Sequence, residues 1–140
     1  MKNVSSYRLS ELLISKQVMF SVKPFDTYKQ IKLRIKHQGV ELRGLKKGNE
    51  IGSKQYLAKT GQFIISKIDA RNGAMGIIPE SLDNAIVTGD FLLYDFNTNL
   101  IIPEYFSYIS QTSSFDNSCK ICSEGSTNRV RLKLDRFLNF

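Results

Sequence analysis

Arg71, Asn72 and Gly73 stand in a row in the stretch "SKIDARNGAMG", with Lys67 and Asp69 just upstream. These side chains suit the recognition of nucleic-acid bases. An arginine guanidinium offers two parallel donors that match O6 and N7 of guanine, and an asparagine amide matches N6 and N7 of adenine. Glycine behind them lets the backbone turn sharply. Asp69 has two readings: it accepts from cytosine N4 or holds Arg71 in place, or it pairs with Arg71 across the turn and serves structure alone.

Other chemistries lack their residue sets. His37 is the single histidine, set in "IKHQGV" with no Gly-x-Ser-x-Gly context, which argues against a nucleophilic triad. "GLKKGNEIG" is glycine-rich but lacks the Gly-Lys-Ser/Thr ending of a phosphate-binding loop. Cys119 and Cys122 form one C-x-x-C, half of a four-ligand zinc site, with His37 distant in sequence. Reduced, half-buried thiols are the plainer reading. Asp69, Glu80, Asp83 and Asp90 are the acids from which a magnesium nuclease would be built, with Lys67 close by, yet carboxylates in turns usually have structural work. The residues therefore imply no catalytic group, no metal and no cofactor.

The charge is unevenly placed. Residues 1–71 hold fifteen Lys/Arg against five Asp/Glu, residues 72–119 none against six, and residues 120–140 five against two, for a net +7. Such segregation makes a basic face if the two ends meet in the fold, and a basic face attracts phosphate backbones, anionic membranes or acidic proteins. A solvated surface explains the same numbers.

The elements that must position these groups follow from periodicity. In "TYKQIKLRIKHQG", Ile31, Leu33 and Ile35 alternate with Lys32, Arg34 and Lys36, which predicts a strand over 29–36 with one buried and one cationic side. "GSTNRVRLKLDRFLNF" repeats the pattern over 129–134. Edge strands also carry lysines to deter aggregation, so one such strand means little and two mean more. "VELRGLKKGNEIGSKQYLA" reads as turn-rich. "GQFIISKI", "GAMGIIPE" and "NAIVTGDFLLYDFN" read as short strands. "YRLSELLIS" is a short helical turn. After Pro103 the period lengthens over "PEYFSYISQTSSF", predicting a helix that packs through Tyr105, Phe106, Tyr108 and Ile109, and a second helix covers "FDNSCKICSE". Strands first and helices after give an α+β class in one domain spanning 1–140. No apolar run has the length of a membrane span, and "MKNVSSYRLSELLISKQ" has no secretion-signal core, so the cytoplasm is the expected location.

Three stretches in order, "TGQFIISKIDARNGAMGIIPESLDNAIVTGDF", "IIPEYFSYISQTSSF" and "GSTNRVRLKLDRFLNF", resemble the target-recognition domain of type I restriction–modification specificity subunits. "YKQIKLRIKHQGVELRG" resembles an early strand of the same domain. The resemblance covers roughly residues 7–140, and Ser66 to Gly73 is its most specific part. It implies a wound β structure of many short, mostly antiparallel strands followed by a C-terminal helical hairpin. It implies a non-catalytic protein that binds double-stranded DNA and reads one half of a split site, with methylation subunits docked through long spacer helices. One recognition unit is expected here in place of the usual two, without most of the long spacer helix. The residues placed near base edges are Lys67, Arg71 and Asn72. Those placed near phosphates are Lys32, Arg34, Lys36, Lys46, Lys47, Lys54, Arg129 and Arg131. The rival functions are a magnesium-dependent nuclease or nuclease–methylase fragment, and a module that binds RNA or an acidic protein.

Overall fold

The computed structural model describes residues 7–124 and 131–132. The chain begins with a short helix, α1 (Leu9–Leu12), that runs directly into β1 (Leu13–Ser15) and β2 (Met19–Phe20). A long hairpin follows, β3 (Thr27–Leu33) and β4 (Val40–Lys47), then β5 (Gln55–Leu57), β6 (Phe63–Ser66), β7 (Met75–Ile77), β8 (Ile86–Val87) and β9 (Phe91–Phe96). The helices α2 (Pro103–Ser110) and α3 (Ser113–Ile121) come after, and a two-residue pairing of β10 (Ser123–Glu124) with β11 (Arg131–Leu132) closes the described chain.

Two sheets form the body. One has the order β1-β9-β6-β7 and is antiparallel throughout. The other has the order β2-β5-β8-β3-β4, antiparallel except where β3 meets β8. This is the α+β arrangement expected, with a helical hairpin at the C-terminal side.

The four-stranded sheet lies between two apolar layers, which explains why its central strands read as unbroken hydrophobic runs rather than alternating ones. Phe63 and Ile65 of β6 join Leu92, Tyr94 and Phe96 of β9 in a core shared with the helices. The intervening Ile64 and Leu93 enter a second core with Ile31, Ile78, Leu82 and Val87, on the side of the five-stranded sheet. Period two is preserved, but both phases are buried.

The helices seat on the first core through Phe106, which is fully buried and edge-on to Phe63 at 5.0 Å, Phe96 at 5.5 Å and Phe115 at 5.9 Å. Pro103 opens α2 at a position where its missing N–H costs nothing. The Thr112 hydroxyl caps α3 by accepting from the Phe115 N–H. Packing through Phe106 and Ile109 is as the spacing predicts. Tyr105 and Tyr108 instead stand 62% and 74% exposed, because the face of α2 that reaches the core is set by Phe106 and Ser110, one turn apart.

Two further expectations change. The cationic strand ends at Leu33 and begins earlier, at Thr27. Ile31 is buried, Lys32 exposed and Leu33 half-buried, but Ile35 lies beyond the strand and is exposed. The stretch after it, read as turns, holds β4 and β5. Glycine there obscures the pattern, and a register shift between Gln30 and Ile31 breaks the alternation on the partner. The second cationic strand, expected over 129–134, falls outside the described residues apart from the backbone of 131–132.

Cys119 and Cys122 are not joined in a disulfide and are fully buried beside the aromatic cluster, more deeply than the half-buried reading. Burial, with Asp116 and Cys122 nearby, pushes the Cys119 thiol up to about 12. Both thiols are expected to resist Ellman's reagent at pH 8 until denaturant unfolds the chain, and titration of the native protein within minutes would contradict the packing. A thiol whose folded pKa is raised contributes its stability fully below its unfolded value and loses that contribution as pH climbs toward 12. Among the described residues no helix is long and apolar enough to cross a membrane.

Candidate nucleic-acid interface

The turn that carries Arg71 and Asn72 begins where β6 leaves its sheet. The Ser66 hydroxyl accepts from the N–H of Ile68 at 3.2 Å and of Asp69 at 3.0 Å, which bends the chain out of the ladder. The Lys67 N–H donates to the Asp90 carbonyl at 2.8 Å. A short 3-10 turn, Ala70–Asn72, is fixed inward by fully buried Ala70. The N–H of Asn72 and that of Ala74 both donate to the Asp69 carbonyl, at 2.9 and 3.1 Å. Gly73 takes φ +83°, the left-handed conformation that returns the chain to β7.

Within this turn the Asp69 carboxylate accepts from the Asn72 amide at 3.2 Å. The partner of Asp69 is thus Asn72, and the pairing with Arg71 weighed from the sequence is not the one formed. Arg71 is half-buried, and its Nε is buried without a hydrogen-bond partner among the described residues. A buried donor left without a partner is uncommon in a folded protein, and it marks this turn as a candidate site.

The tip of the β3–β4 hairpin docks onto the same turn. Lys36 and His37 both adopt positive φ, +59° and +56°, and this places their N–H groups outward from the hairpin. The Lys36 N–H donates to the Asn72 carbonyl at 2.6 Å, and the His37 N–H donates to the Gly73 carbonyl at 3.1 Å. The His37 ring then reaches helix α3, with Nε2 at 2.8 and 3.0 Å from the two carboxylate oxygens of Asp116. Three elements far apart in sequence therefore meet at one place, and Lys36 is brought beside Arg71 and Asn72. His37 and Asp116 were not assigned a role from the sequence. The signal available was only that a lone histidine sat two residues before Gly39, the first glycine of the chain, and its partner lies 79 residues away.

The remaining cations spread along the hairpin and past it. Lys32 is exposed opposite Glu41, Lys46 opposite Tyr28, and Lys47 opposite Thr27. Arg34 is paired with Glu41 at 2.9 Å, so part of its charge is already met. Lys54 is exposed before β5, and Lys67 is half-buried at the start of the turn. Arg129 lies outside the described residues, as does the side chain of Arg131.

The acids do not gather. The backbone N–H of Thr60 donates to Asp83 at 2.9 Å and, with Lys59 nearby, holds that carboxyl below the usual carboxylate range. Asp69 is engaged by Asn72. Among the described residues no three His, Cys, Asp or Glu side chains converge as metal ligands would.

No protein-family model and no curated protein matches this chain by sequence. Solved structures do match by fold. An HsdS subunit from Thermoanaerobacter tengcongensis superposes with a TM-score of 0.75 at 13% identity, over 95% of this chain and 36% of that one. A chain from a structure of the complex assembly and conformational transition of the type I R-M system superposes with a TM-score of 0.72 at 14% identity, again over 95% and 36%. At these identities the likeness is one of fold, and the chain spans about a third of the length of each solved chain. The motif resemblance to type I specificity subunits is thus met by the three-dimensional arrangement.

Proposed function

We propose that this chain is a DNA target-recognition module of a type I restriction–modification system, binding duplex DNA in the cytoplasm and reading one half of a split site. It makes no bond and breaks none. Its partners are double-stranded DNA and, through spacer helices, the methylation subunits of the same system. What supports this reading, beside the shared fold, is one observation: the backbone of the hairpin tip hydrogen-bonds the turn of Arg71 and Asn72, which brings Lys36 next to that turn in space.

The work divides accordingly. Lys32, Lys36, Lys46, Lys47 and Lys54 neutralise phosphates and set the protein on the duplex, without sequence information. Arg71, with its guanidinium free and its base half-buried, reads a guanine edge. Asn72 reads adenine once its amide turns from Asp69 to the base, and Lys67 lies at the margin of the same edge. Binding is expected to weaken steeply with salt, since each neutralised phosphate releases counterion.

Two substitutions separate these roles. With a preferred half-site selected from a random duplex library, Arg71→Ala is expected to cost about 1–3 kcal/mol of discrimination on that site. Binding to random duplex should fall much less. Lys32→Ala is expected to weaken both duplexes alike and to lower the salt slope by about one unit. Titration of each variant against both duplexes at several salt concentrations decides the matter. Equal losses on selected and random DNA would remove Arg71 from base reading.

A further inference from the structure

We propose that Phe25 is a wedge that inserts between bases of the bound duplex at the opposite end of the hairpin from Arg71, an inference that rests on the DNA-binding function proposed above. Phe25 is 89% exposed, the most exposed large hydrophobic side chain among the described residues. Exposure of a single ring is ordinary; what is unusual is how firmly the backbone holds this one out. Lys23 to Asp26 form a β-turn closed by the Asp26 N–H on the Lys23 carbonyl at 3.1 Å, with Pro24 and Phe25 at its corners.

That turn is pinned from both sides. The Lys23 N–H donates to the Tyr28 hydroxyl at 2.7 Å. The N–H of Gly48 donates to the Asp26 carbonyl at 2.9 Å, and that of Asn49 to the Pro24 carbonyl at 3.0 Å. Gly48 itself is buried so closely against the turn that a Cβ there would overlap the Lys23 carbonyl. A loose loop would let the ring fold onto its neighbours. This one presents it to solvent at a fixed place.

The surroundings favour nucleic acid over an apolar protein surface. Lys46 and Lys47 lie opposite Tyr28 and Thr27, the first residues after the turn, and Lys23 begins it. Of the two nearby acids, Asp26 and Glu50, the latter turns back to accept from the Lys47 N–H, and the three lysines outnumber the pair. An aromatic ring flanked by phosphate-seeking lysines matches the side chains that enter a base step and bend the duplex. The seven residues of β3 separate the two ends by roughly 20 Å, or about six base pairs, so the ring meets DNA outside the bases that Arg71 reads. There it unstacks a base step without reading base identity.

The chain contains no tryptophan, so Phe25→Trp creates a sole reporter at the tip of the turn. With the full 140-residue chain and a mixed-sequence 30-base-pair duplex, the introduced tryptophan is expected to be quenched on saturation. Phe25→Ala should bind about tenfold more weakly, with its melting temperature unchanged and equal losses on selected and random duplex. An unquenched tryptophan, or a Phe25→Ala protein that binds as well as the parent, would overturn the wedge. So would shielding of the tryptophan from acrylamide without DNA, which would mark a protein–protein contact. Sequence preference in the parent, with the Phe25→Trp reporter left unquenched by DNA, refutes the wedge alone. Quenching of the Phe25→Trp reporter, with no sequence preference in the parent, refutes base reading alone, and a parent that binds no duplex refutes both.

Discussion

Gly73→Ala is expected to destabilise the protein by about 2–3 kcal/mol and to reduce binding of its preferred duplex to the level seen with random DNA. Two costs combine. A side chain at φ +83° pays roughly 1–2 kcal/mol for the left-handed conformation. The new methyl group would also lie 2.9 Å from the His37 backbone nitrogen and 3.0 Å from two atoms of its ring. Relief requires the turn to part from the hairpin tip, which breaks the bonds from Lys36 to Asn72 and from His37 to Gly73 and pulls the ring from Asp116. Lys36 and Arg71 would then no longer share an edge. Gly61→Ala is the control, because Gly61 has φ +87° and open space around its missing Cβ. It pays the conformational cost without the collision. Urea melts and competition binding on both variants separate the terms. Equal destabilisation, with selectivity intact in Gly73→Ala, would mean that the hairpin tip does not order the reading turn.

Phe106→Ala should have the largest effect on stability, about 3–5 kcal/mol. The ring is fully buried and touches three other phenylalanines edge-on, so its removal leaves a cavity walled by rigid side chains that cannot collapse into it. Against a typical total of about 5–15 kcal/mol, such a loss approaches global unfolding at 37 °C. Any folded remainder should bind DNA less selectively, because α2 and α3 sit on this cluster and α3 carries the carboxylate that holds His37. Tyr108→Ala, on the exposed side of the same helix, should shift stability by no more than about 0.5 kcal/mol. Denaturant titration compares the two; a cost below about 1.5 kcal/mol for Phe106→Ala would contradict the packing described.

Much of this architecture was legible before any coordinates. The runs at 63–66 and 91–96 announced strands, and they proved continuous in hydrophobicity because they are covered on both sides. Proline at 103 and the longer period after it announced the helical hairpin. What escaped notice was short or interrupted. β1, β2 and β5 are three residues or fewer, too brief for any alternation to show. β4 is long, but it carries Gly44 and a register shift, and its edge position leaves most of its side chains in solvent. Such a strand exists because its neighbour supplies the ladder, not because its own pattern demands one.

The candidate site divides along the same line. By itself the sequence determined the chemistry available: adjacent arginine and asparagine before a glycine, cations confined to the two ends, and no complete set of catalytic groups. Only the tertiary structure decided that Asp69 pairs with Asn72 and leaves Arg71 open, that Lys36 lies against Asn72, and that His37 is held by a helix 79 residues away. The physical reason is one of range. Side-chain type and period report dihedral preference and burial within a few residues, whereas the bonds that assemble this edge join segments whose approach depends on how both sheets and both helices pack at once.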